Sequence, residues 1–184
     1  VKAHSEYTFA HTTNVSILCM YQAQALGFKG EILHDIGLAG LLHDMGKMFV
    51  PAEILEKPGK LEPHEWEEIK KHPIYGARYL STLDEAPKLS VIAAFEHHMR
   101  WDGTGYPDTV RRGRKQHIIS QIVAISDFFD ALRTERPYRK SLEIPVIFGF
   151  LRESVNKEFN SALVDNFILS GKGVFNPPPS AQSG

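Results

Sequence analysis

His97 and His98 are adjacent and lead into Met99-Arg100-Trp101-Asp102-Gly103-Thr104-Gly105-Tyr106-Pro107. Two imidazoles at the end of a helix diverge enough to face one cavity, and neutral imidazole is the commonest protein ligand for transition metals. Taken alone, the pair is equally a polar helix terminus in which histidine suits the dipole. A second pair, His43-Asp44, lies in Leu41-Leu42-His43-Asp44-Met45-Gly46-Lys47, where apolar flanks imply burial. A buried His-Asp pair needs partners. Its carboxylate could bridge two cations, and Lys47, about a turn further on, would meet an anionic substrate. His72 before Pro73, His11 near the start of the chain, and Asp127 within Ile-Val-Ala-Ile-Ser-Asp-Phe-Phe-Asp-Ala-Leu complete the set. An acid in so apolar a helix is costly unless paired or metal-bound, and Asp130, three residues later, competes with Asp127 for that role. Together these residues could hold two metals. Nothing in the sequence resembles a Ser-His-Asp nucleophile.

The elements that must position these groups read as helices. Apolar spacing of three and four predicts helices over Thr12 to Gly27 and Glu31 to Asp44. A loop with a short helical turn follows from Met48 to Lys60. Further helices are predicted at Leu61 to His72, Ile74 to Leu83, Pro87 to His98, His117 to Leu132, Pro145 to Lys157 and Ser161 to Leu169. Pro73 is read as the break between two of them. No segment alternates with period two between hairpin turns, so the expected fold class is all-α. Residues 1–170 are expected to form one domain, and the Pro/Ser/Gly-rich stretch 171–184 a disordered tail. The sequence also holds a control for the metal reading. His34-Asp35 precedes His43-Asp44 by nine residues, which at roughly 100° per residue places the pairs on roughly opposite faces of one helix. His43-Asp44 has the apolar flanks and the following Gly-Lys; His34-Asp35 is expected in solvent. Phe128, Phe129, Phe148 and Phe150 are expected in the core.

The formal charge is −1, which gives no general attraction to DNA or anionic membrane, so any phosphate site must be local. No apolar run approaches the ~20 residues needed to span a bilayer. The single cysteine, Cys19, precludes an intrachain disulfide, permits a reducing cytoplasm and is expected to be a packing residue.

In order and spacing, Tyr-Thr-Phe-Ala-His ending at His11, His-Asp-Met-Gly-Lys from His43, His-Pro-Ile-Tyr-Gly from His72, His97 to Pro107, and Ser-Asp-Phe-Phe-Asp-Ala-Leu followed by Arg-Pro-Tyr-Arg-Lys resemble the HD-GYP branch of the HD phosphohydrolases. The resemblance runs from Tyr7 to about Phe167. It implies an HD-domain helical bundle with an irregular GYP loop around a di- or tri-metal centre. It also implies hydrolysis of cyclic di-GMP to the linear dinucleotide, GMP or both. By position, His11, His43, Asp44, His72, His97, His98 and Asp127 match metal ligands, with Asp44 the bridging carboxylate. Lys47 matches the lysine facing the scissile phosphate, Arg136 and Arg139 match positions associated with substrate phosphates, and Tyr106 belongs to the loop beside the site. Iron or manganese is the metal implied, with zinc or nickel as further candidates.

Three positions depart from the family pattern: Tyr7 where some members carry a glutamate supporting a third metal, Met99 for glutamate, and Gln121 for arginine. Two metals are therefore expected. The alternatives are another cyclic dinucleotide such as cyclic GMP-AMP, or a catalytically weak sensor or interaction module. An upstream sensor or regulatory domain, and a cyclase partner contacting the Tyr106 loop, are the expected partners.

Overall fold

A computed structural model describes residues 2–108, 116–135 and 140–175. Nine helices are described, and the fold class is all-α as expected. They are α1 (Lys2–Ala25), α2 (Glu31–Leu42), α3 (Ala52–Leu55), α4 (Pro63–Ile69), α5 (His72–Leu80), α6 (Lys88–Glu96), α7 (Ile118–Arg133), α8 (Ile144–Glu153) and α9 (Ser161–Phe175). A 3-10 turn, Met45–Phe49, follows α2. None of the described helices is long and apolar enough to cross a membrane.

α7 is the axis of the bundle. Ile119, Ile122 and Val123 pack with Val15, Cys19 and Ala23 of α1, Ile36 and Ala39 of α2, and Ala93 of α6. Further along, Ala124, Ile125 and Phe129 pack with Leu18, with Ile147, Phe148 and Leu151 of α8, and with Leu163, Val164, Phe167 and Ile168 of α9. A helix apolar around most of its circumference needs neighbours on most of its sides, and α7 has them on α1, α6, α8 and α9. Phe128 is only partly buried and Phe150 is 41 % exposed, so two of the four phenylalanines assigned to the core lie at its edge or outside it.

The end of α2 and the start of α5 lie close together because Gly46 has no side chain. A Cβ there would stand 1.9 Å from the His72 carbonyl oxygen and 2.5 Å from the Gly76 amide nitrogen. The 3-10 turn therefore lies directly against the start of α5. His72 opens α5 instead of ending the preceding helix, because Pro73 occupies the first turn, where its missing N–H costs nothing. The expectation that Pro73 separates the helices misplaced that boundary. At the other end of the chain α9 continues to Phe175, past the expected boundary near Leu169. Burial of Phe167, Ile168 and Gly171 offsets the roughly 1 kcal/mol that each of Gly171 and Gly173 costs a helix.

Candidate metal centre

Five helices deliver the chemistry-bearing residues to one region. His11 comes from α1, His43 and Asp44 from the end of α2, His72 from the start of α5, His97 and His98 from the end of α6, and Asp127 from α7. They form two groups, Asp44 with His72, His97 and His98, and His11 with His43 and Asp127, whose ligand-type atoms lie within 4.8 Å of one another in each group.

Asp44 joins the groups. Its Oδ1 is 3.3 Å from His72 Nε2 and 3.8 Å from His97 Nε2, while its Oδ2 is 3.4 Å from His43 Nε2. One carboxylate thus presents an oxygen to each group. His34-Asp35, the control pair, lies in neither: His34 is exposed, and the two side chains approach only to 3.6 Å.

The donor set fits divalent cations. Nδ1 of His43 donates to the Gly40 carbonyl at 2.7 Å, Nδ1 of His72 to Ile69 at 2.8 Å, and Nδ1 of His97 to Ala93 and Ala94 at 3.0 Å. A proton on each Nδ1 leaves Nε2 as a bare lone pair. His72 Nε2 and His97 Nε2 then face each other at 3.2 Å, an arrangement that repels unless positive charge lies nearby. Buried His43 Nε2 and Asp44 Oδ1 have no hydrogen-bond partner among the described residues. Both atoms are of the kind that a bound cation would satisfy.

The electrostatics agree. Burial, reinforced by His98, His43 and His72, holds His97 well below the ordinary histidine value, and burial pushes His98 down to about 3. Both are neutral near pH 7, as ligation requires. Burial also opposes the charged forms on the other side, but there the partners win. The Lys47 and His43 charges hold Asp44 well below the usual carboxylate range, and the His11 hydrogen bond does the same for Asp127. Hydrogen bonds to Asp127 and Asp130 raise His11 to about 9, and the Asp44 charge raises His43. This half of the site attracts positive charge even where only a proton can supply it.

Beside His97, His98 and Asp127 opens a cleft of about 750 Å³, with Trp66, Lys70, Lys71, Arg100, Tyr106 and Phe128 in its wall. Lys47 pairs with Asp44 Oδ2 at 2.5 Å, and its side chain is 38 % exposed, so the ammonium borders both the carboxylate and solvent. Tyr106 packs its ring 4.5 Å from that of His98. Gly105 (φ 90°) allows that approach: a Cβ on it would stand 2.3 Å from the His98 carbonyl oxygen. Met99 is half-buried and forms an isolated bridge with Gly105. Gln121 is buried and donates to the Gln116 carbonyl at 2.8 Å. Arg136 and Arg139 lie outside the described residues, as does the side chain of Tyr7.

Asp130 is the residue whose place the sequence did not reveal. It is fully buried behind His11, whose Nδ1 donates to Asp130 Oδ2 at 2.8 Å, while His11 Nε2 faces Asp127 Oδ1 at 3.1 Å. Asp127 and Asp130 take different sides of one imidazole. The signal was their three-residue spacing on an apolar helix, which puts both on one face without ordering them.

The HD domain family model matches residues 1–163. Cyclic di-GMP phosphodiesterase PA4108 of Pseudomonas aeruginosa is 39 % identical over 140 residues, covering 76 % of this chain and 34 % of that protein. The 3′3′-cGAMP-specific phosphodiesterase 1 of Vibrio cholerae is 40 % identical over 158 residues, covering 85 % and 36 %. A cyclic di-GMP phosphodiesterase of Thermotoga maritima is 36 % identical over 176 residues, covering 92 % and 47 %. The chain thus spans between about a third and a half of the length of these relatives. Among solved structures, Bd1817, an HDG"Y"P protein from Bdellovibrio bacteriovorus, superimposes with a TM-score of 0.71 at 22 % identity, covering 89 % of this chain and 53 % of that one, a likeness of fold.

Proposed function

The chain belongs to the HD-domain family, with the HD-GYP phosphohydrolases, and on that premise we propose that it is a metal-dependent phosphodiesterase that hydrolyses cyclic di-GMP. The observation that carries the proposal is Asp44, whose two oxygens face two separate groups of imidazole and carboxylate donors. Two divalent cations held there would lower the pKa of a water toward neutrality and offset charge on the phosphoryl oxygens. The His-rich mixed nitrogen and oxygen set suits iron or manganese, with zinc and nickel next, better than magnesium alone.

The reaction adds water across one P–O3′ bond. The water oxygen bonds to phosphorus, the 3′-oxygen leaves and takes up a proton, and a 5′-phosphate and a 3′-hydroxyl result. His43, His72 and His97 stay fixed in orientation through their Nδ1–H bonds to main-chain carbonyls, so their Nε2 atoms need no rearrangement. Asp44 spans both groups. Lys47, bordering solvent, turns its ammonium to a phosphoryl oxygen as charge builds there. His11 and Asp127 close the second group, Tyr106 walls the cleft, and Arg136 and Arg139 act as further phosphate contacts. Two cations are proposed, since Tyr7 offers a phenol where a third would need an acid.

A second reading is hydrolysis of 3′3′-cyclic GMP-AMP, favoured by the 40 % identity to the Vibrio cholerae enzyme specific for it. The phosphodiester chemistry is the same, so only competition separates the two. Manganese-loaded protein given equal cyclic di-GMP and 3′3′-cyclic GMP-AMP should consume cyclic di-GMP first. Preferential loss of the mixed dinucleotide would establish the second reading, and tight binding of either without turnover would establish a sensor instead.

A further inference from the structure

The two ligand groups share Asp44 but differ in what stands behind them. His43, His72 and His97 are oriented by main-chain carbonyls. His11 is oriented by a carboxylate, Asp130, at 2.8 Å. Asp130 is itself fixed: the Thr134 hydroxyl donates to its Oδ2 at 3.2 Å, and Arg133 Nη2 lies 3.4 Å from its Oδ1. A carboxylate on the far nitrogen of a ligating imidazole fixes the ring and strengthens its bare nitrogen as a donor, and losing such a partner costs about 10–100-fold in metal affinity.

Charge adds to the asymmetry. The His11 group has Asp127 of its own and buried Asp130 at its back, whereas the other group has three imidazoles and only the shared carboxylate. Buried carboxylates attract a cation more strongly than exposed ones. Arg133 and Lys47, which pairs with Asp44 Oδ2, offset part of this, but their side chains are 35 % and 38 % exposed and partly screened by solvent.

We propose that the two cation sites are unequal: the His11–His43–Asp127 group fills first and holds its ion more tightly, and Asp130 is the positioning residue responsible. The inference rests on the metal-centre reading above. Its consequence is that half-loaded protein is a stable species. Hydrolysis then follows occupancy of the His72–His97–His98 group, so the free concentration of metal ion sets activity.

Equilibrium dialysis of the metal-free protein against Mn²⁺ tests this without reference to turnover. The wild type should take up two ions in steps separated by at least about tenfold, and at one equivalent its paramagnetic resonance should be that of an isolated ion. Asp130→Asn should weaken the tight step by about 10–100-fold and leave the weak step in place. His98→Ala should lose the weak step and retain the tight one, an arm that does not depend on folding of the Asp130 variant. Equal steps in the wild type, parallel weakening of both in Asp130→Asn, or loss of the tight step in His98→Ala would each overturn the inference. A wild type that binds no Mn²⁺ would sink the metal-centre reading and this inference with it.

Discussion

Replacing Gly46 by alanine tests how the fold makes the centre, because the residue carries no chemistry of its own. The added Cβ would stand 1.9 Å from the His72 carbonyl oxygen, and real Cβ contacts do not fall below 3.0 Å. The 3-10 turn and the start of α5 must therefore part by at least about 1.1 Å. Both sides of the contact are main chain, so no side chain can rotate to relieve it. Asp44 precedes Gly46 by two residues, and His72 rides on the displaced segment, now 3.3 Å from Asp44 Oδ1. An opening of that size is comparable with the ~1 Å misplacement that costs about a hundredfold in rate. Overpacking should also cost about 1–3 kcal/mol of stability. The assay is Mn²⁺ dialysis, a thermal melt and hydrolysis on one preparation of Gly46→Ala. The expected result is a folded protein with a lower melting temperature, loss of the ion held by the His72 group, and activity down by a hundredfold or more. Two ions at wild-type affinity and wild-type turnover would refute the geometric argument.

Lys47→Met should retain both ions while single-turnover hydrolysis of cyclic di-GMP falls about a hundredfold, the usual value of one well-placed donor to a developing oxyanion; loss of metal in this variant would mean that Lys47 helps build the site. Asp44→Ala should release metal and abolish hydrolysis, whereas Asp35→Ala should stay within a few-fold of the wild type; equal losses would undo the assignment of the two His-Asp pairs. Burial pushes the Cys19 thiol up to about 12. A thiol reagent at pH 8 should therefore label Cys19 only as fast as the protein opens, and rapid labelling of the native state would contradict that burial.

The ligand-type residues were legible in the sequence because their cost is local. A His-Asp pair between leucines, and an aspartate inside an almost wholly apolar helix, each demand a partner wherever the chain folds. The opposition of His34-Asp35 and His43-Asp44 followed from helical periodicity, and the structure leaves His34-Asp35 outside both groups. Less visible was anything that depends on distant contact. Pro73 could end one helix or open the next, and only the approach of Gly46 to α5 shows which. Asp130 was one of two acids on a single face, and its partner, His11, lies 119 residues away. Phe150 was assigned to the core by its residue type, yet it lies off the Ile147–Phe148–Leu151 face of α8 and is left exposed. Gly171 and Gly173 signalled a helix end that tertiary burial of α9 overrides.

The most direct test of the account follows cyclic di-GMP through a single turnover while bound Mn²⁺ is counted on the same sample. Protein carrying two ions should open a P–O3′ bond to give the linear dinucleotide, GMP or both. The rate should vanish on chelation and return with Mn²⁺. Protein that carries two ions and binds cyclic di-GMP, yet leaves both phosphodiesters intact, would contradict it.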